Sequence, residues 1–206
     1  AVPYALEGAA AMLAVGAPHG AQEILEAILA LSPSLTQVKQ IRLLLAKALV
    51  DQSKGESAVP IIEQLASGPN LDVRERAEVT MLRASAEYQA NRKSGARYAE
   101  AARTALESAQ QTGEPPLIAK ALFECARAGA EEGLLDLMHT AEMEIDSLSK
   151  TIDVTKLPMA ITTKAFCRFS LGYPRDALEQ LERYHQMSSA KPNAADRKST
   201  RLNSSH

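Results

Sequence analysis

Catalysis and metal binding need side chains that hold an ion, move a proton or attack a carbon, and this chain supplies few at useful spacing. His139 and Glu142 stand three residues apart, which on a helix sets both on one face within reach of a single metal ion. No further His or Cys lies near them to complete a coordination set, so the pair reads as a solvated helix face. Cys125 and Cys167 lack C-x-x-C spacing and read as buried free thiols. His19 and His185 fall beside expected helix ends, and the carboxylates at Glu131, Glu132, Glu142 and Glu144 fit an ordinary acidic helix surface. Neither the phosphate-cradling G-x-x-x-x-G-K-[ST] nor the nucleophile turn G-x-S-x-G occurs. These residues lead to the expectation of no catalytic residue, no metal site and no cofactor.

The elements that would carry such residues are set out by punctuation. Gly16, Gly55, Gly95, Gly133 and Gly172 recur at intervals of 38 to 40 residues, a period that marks a repeat protein. Seven residues before four of them stand Ala9, Ala48, Ala126 and Ala165, each in an apolar stretch with helical spacing. In the third unit Ala86 precedes its glycine by nine residues. Such a pattern reads as a helix with a small residue at a close contact, ended by a glycine in the left-handed conformation. Between the glycines, Pro33, Pro69, Pro115, Pro116 and Pro158 separate one helical pair from the next. The spacing predicts ten helices over 2–16, 18–31, 35–53, 57–67, 71–92, 97–112, 116–132, 134–149, 158–171 and 174–188. Strand patterns are nearly absent. The expected class is all-α, a solenoid of about five hairpins with units 1–33, 34–69, 70–114, 115–157 and 158–188.

The pattern resembles the tetratricopeptide repeat family. Unit one carries the likeness in Ala9, Gly16, Ala21, Leu25 and Pro33, and unit five in Ala165, Gly172, Ala177 and Leu181. Pro60, Glu100 and Met138 occupy the place of Ala21 in the middle units, so the second-helix pattern is expected to be lost there. HEAT-type repeats are the alternative architecture. The resemblance implies a right-handed superhelix whose first helices line a concave groove for an extended peptide or a partner helix. Carrying the family's groove positions onto this chain selects Arg42, Leu45 and Leu49, then Arg83 and Glu87, then Lys120, Phe123 and Arg127, then Thr162, Phe166 and Phe169. Their spacing of three, four and seven within a unit is that of one helix face. Arg42, Arg83, Lys120 and Arg127 would form a basic line for carboxylates, and the phenylalanines would hold an apolar side chain.

Residues 196–206 read as a translated sequencing adapter, so the tail is expected to be artefactual and disordered, with 189–195 a linker or the start of a next segment. The chain begins without methionine, and an internal fragment is expected. Without the tail's three basic residues and one acidic residue, 20 basic and 24 acidic residues remain. That mild acidity argues against nucleic-acid binding, which needs clustered positive charge. No apolar run reaches the length of a membrane span. The resulting expectation is a cytoplasmic, non-enzymatic scaffold for a protein or peptide, self-associating and fraying at uncapped ends. The alternatives are the sensor or oligomerisation region of a larger signalling ATPase or transcriptional activator, and the non-catalytic arm of an enzyme.

Overall fold

The computed structural model describes residues 2–31, 33–68, 71–90, 95–153 and 157–189. Among them are ten helices and no strand: α1 Val2–Ala14, α2 Pro18–Leu29, α3 Leu35–Asp51, α4 Gly55–Ala66, α5 Val73–Ala90, α6 Gly95–Thr112, α7 Pro115–Glu132, α8 Leu135–Thr151, α9 Pro158–Ser170 and α10 Pro174–Ser189. Successive helices pair as hairpins, and each second helix also packs against the first helix of the next pair. First helices touch one another along the row α1, α3, α5, α7 and α9. The result is an all-α helical-repeat solenoid whose first helices share one face. Residues 190–206, with the expected tail and all of the expected 189–195 segment but Ser189, which ends α10, lie outside the described part.

Turn chemistry ends the first helices. Gly16, Gly133 and Gly172 are left-handed, at φ 76°, 69° and 89°. After each, a backbone N–H returns five residues to close the helix: Ala17 to Met12, Leu134 to Gly129 and Tyr173 to Arg168, all at 2.8 Å. Unit two makes the same closure from Lys54 to Leu49 at 2.9 Å, but the left-handed residue is Ser53, φ 58°. Gly55 therefore does not serve as the turn glycine; it is the first residue of α4, and Gly95 likewise opens α6. A Cβ on Gly55 would stand 2.4 Å from the Ala86 carbonyl oxygen, so close approach of α4 to α5 demands glycine there. Polar caps start other helices: Ser34 with Gln37, and Asp72 with Glu75, exchange reciprocal side chain–backbone bonds.

The second-helix pattern is kept in every unit, which corrects the expectation for the middle three. Ala21/Leu25/Ile28 recurs as Ala58/Ile62/Leu65, Ala102/Leu106/Ala109 and Ala141/Ile145/Leu148, then as Ala177/Leu181/Tyr184. Each triplet has spacing i, i+4, i+7, so it makes one apolar stripe. Ala58, Ala102 and Ala141 are all fully buried. The small residue stands two or three positions from Pro60, Glu100 and Met138; in unit two this follows from the left-handed turn residue being Ser53, five before Ala58 as Gly16 is five before Ala21. Pro60 itself lies inside α4, on its exposed side.

The core runs as two clusters that meet at α5. Val79 and Ala86 join the cluster built on α1 to α4, while Ala77 and Ala84 join the one built on α6 to α9. Small residues set the interhelical distance. In α7 a Cβ on Gly129 would stand 2.6 Å from Met138 Cγ, so the α7–α8 hairpin closes through a missing side chain.

Candidate functional site

An aromatic strip crosses the first helices from α5 to α9. The Tyr88 ring (α5) lies 5.2 Å from that of Tyr98, in the first turn of α6. The Arg127 guanidinium (α7) stacks 4.0 Å above Tyr88 and lies 5.6 Å from both Tyr98 and Phe123. Phe123 then meets Phe166 of α9 edge to face, centroids 5.7 Å apart. One turn beyond, Phe169 is 66% exposed. All three phenylalanines of the chain are thus in or beside this strip, and with Tyr88 and Tyr98 they make five of its eight aromatic residues.

Glu124 fastens the strip's middle. Its carboxylate is ion-paired with Arg127 and accepts hydrogen bonds from Ser85 Oγ and Tyr98 Oη, each at 2.8 Å. Arg127 Nε donates to Tyr98 Oη at 2.7 Å. Burial, reinforced by Glu124, pushes the Tyr98 phenol well above its ordinary pKa. Burial alone would lower the pKa of Arg127, but Glu124 and Tyr98 outweigh it and hold it raised. Tyr98 is therefore a neutral donor and Arg127 a permanent cation, joined across α5, α6 and α7.

The other expected groove residues scatter. Leu45 and Leu49 are 5% exposed and belong to the core, so neither is a groove residue. Arg42 lines a cleft against Gln64, Gly68 and Leu71, beside the end of α4. Arg83 and Glu87 line a polar cleft of about 350 Å³ between α4 and α6, with Glu63, Arg97 and Glu100. Helix α5 turns Ser85 towards α7, where its hydroxyl meets Glu124, and Arg83 faces the α4–α6 cleft. Taking Ala86 as register selected that other side. Lys120 and Thr162 are exposed, and Phe123, Arg127 and Phe166 lie together in the strip. The four cations thus stand in separate settings and do not form the expected basic line, with Arg127 already committed to Glu124. Tyr88, Tyr98, Ser85 and Glu124 were missed, although the clustering of scarce aromatic residues near the first helices was a usable signal.

Glu142 is ion-paired with Arg168 at 2.6 Å, whereas His139 is exposed. Cys125 and Cys167 are free, and their thiols sit on the carbonyls of Ala102 and Met138 in the preceding helix. Burial, helped by Glu124 and Glu142 respectively, pushes each thiol up to about 12, which leaves both protonated and poorly nucleophilic at neutral pH. Among the described residues no group of three or more His, Cys, Asp or Glu is placed to hold a metal ion, and no helix is long and apolar enough to cross a membrane.

The fold is that of a tetratricopeptide-like helical repeat. It is similar to a crystal structure from Podosopora anserina described as a kinesin light chain with nearly identical TPR-like repeats. The TM-score is 0.68 at 19% sequence identity, over 93% of this chain and 97% of that one. No protein-family model and no curated protein matches the chain. The likeness bears on the fold alone.

Proposed function

We propose that this chain is a non-catalytic interaction scaffold that takes a peptide or partner helix along its first-helix face. The observation that carries the reading is the aromatic strip, in which Phe123 and Phe166 remain half-buried and Phe169 is open to solvent. A folded chain with eight aromatic residues that leaves several accessible along one face offers an anchor for apolar side chains. Lys120 and Thr162 stand at the rim, where the lysine suits a carboxylate of the ligand and the hydroxyl a backbone group. The Glu124–Arg127 pair holds the Tyr88 and Phe123 rings in place and does not itself recognise the ligand.

The test starts from peptides selected on the intact chain out of a random display library. Lys120→Glu and Phe169→Asp alter exposed positions and preserve the fold. Together they are expected to weaken the selected peptides by at least about tenfold, because a hot-spot aromatic and a rim charge are lost. Equal binding by wild type and the double variant, with helicity retained, would sink the proposal.

A further inference from the structure

The turn that closes the first helices gives the row a common register. The carbonyls accepting that closure belong to Met12, Leu49, Gly129 and Arg168. Ala10, Lys47, Arg127 and Phe166, each two residues earlier, therefore hold one position on α1, α3, α7 and α9. The stack of Arg127 on Tyr88, at 4.0 Å, puts Tyr88 at the same level of α5. On its other side Gln89 Nε2 donates to the Val50 carbonyl at 2.9 Å, which sets α5 against α3 one turn from Lys47. Lys47 thus continues the aromatic strip onto α3, where the half-buried Leu43 takes the position of Phe123.

The two ends of this row differ in chemistry. Lys47 is exposed and, among the described residues, pairs with no carboxylate, whereas Arg127 is held by Glu124. On α7 and α9 the row turns aromatic through Phe123, Phe166 and the exposed Phe169. Between the ends the strip offers an incoming backbone little to bond to. Its carboxylate, Glu124, already takes Ser85, Tyr98 and Arg127, and the Lys47 and Lys120 ammonium groups are donors only. No strand occurs among the described residues, so no sheet edge is there for an extended segment to join. An extended ligand would bury N–H groups without acceptors, while a helix arrives with its backbone already paired.

We infer that the occupant of this face is an amphipathic helix of a partner protein, acidic where it crosses α3 and apolar where it crosses α7 and α9. Lys47 pairs with its carboxylates, and Phe123, Phe166 and Phe169 take its apolar stripe. With helix axes about 8–10 Å apart, the crossing from α3 to α9 covers about 24–30 Å, or about 16–20 residues of α-helix. This rests on the first-helix face being the binding face, and it adds to that reading the α3 contact, the ligand's conformation and its polarity.

The probes are peptides selected on the intact chain from a random display library of that length. Lys47→Glu alters an exposed position, and circular dichroism checks that helicity is kept. The variant is expected to bind the selected peptides at least about tenfold more weakly. Exchanging a peptide's acidic residues for lysine is expected to restore its binding to the variant and to lower its binding to wild type. Mixing is expected to raise the helical signal above the sum of the separate components, and a mid-peptide proline to abolish binding. Peptides that lose affinity for the Lys120→Glu, Phe169→Asp double variant yet bind Lys47→Glu as tightly as wild type would overturn the α3 contact and leave the binding face standing. Peptides that gain no helix on binding and tolerate the proline would overturn the helical occupant. Indifference to both variants would overturn the face itself, and this inference with it.

Discussion

Arg127 shows how a cation can be necessary to a binding face without being free to bind. Its guanidinium is spent on Glu124, on the Tyr98 hydroxyl and on the face of Tyr88. Glu124 and Arg127 side chains are only 12% and 22% exposed, so removing either alone leaves a charge poorly solvated and unpaired. Arg127→Met is expected to cost about 2–3 kcal/mol, less than for a fully buried pair because some water reaches the site. Adding Glu124→Gln to that variant removes the orphaned charge and is expected to restore at least ~1 kcal/mol. Urea unfolding of the four proteins of this cycle measures it, and strictly additive losses would show that the pair is not coupled.

At the scale of the helix, the same closing turn is built from different residues. Ser53 adopts the left-handed conformation that Gly16, Gly133 and Gly172 supply elsewhere, and a side chain there is strained. Ser53→Gly is expected to stabilise the protein by about 1 kcal/mol, whereas Gly55→Ala is expected to destabilise it by more than ~1 kcal/mol through its clash with the Ala86 carbonyl. Thermal melts of both variants decide whether the two neighbouring positions carry these opposite roles. These residues also show what the sequence discloses and what it hides. The hairpins were legible because helix period and Gly/Pro punctuation are local properties. The role of Gly55 was not, since its constraint comes from α5, some 30 residues away in the chain. The same holds for Ala58: Gly55 drew the register to Ala48 and Pro60, whereas the turn is made by Ser53, which aligns Ala46 with Ala9 and Ala58 with Ala21. Of the strip, Phe123, Arg127 and Phe166 were reached through the groove positions that the tetratricopeptide resemblance implies, with helical spacing in support. Tyr88 and Tyr98 escaped because their meeting depends on how α5 and α6 rotate about one another.

Across the whole molecule, successive hairpins form a ladder whose internal junctions are sealed and whose two ends carry exposed apolar residues. The row of first helices gives the ladder a continuous face, and the aromatic strip marks α5, α7 and α9 on it. The central claim is that ligand docks there and not on the outer clefts between second helices. Hydrogen–deuterium exchange of the intact chain, with and without a peptide selected on it, tests this most directly. The account predicts added protection within α7 and α9, centred on Lys120 to Arg127 and Thr162 to Phe169, with α4, α6 and α10 unchanged. Protection confined to α4, α6, α8 or α10 would contradict it.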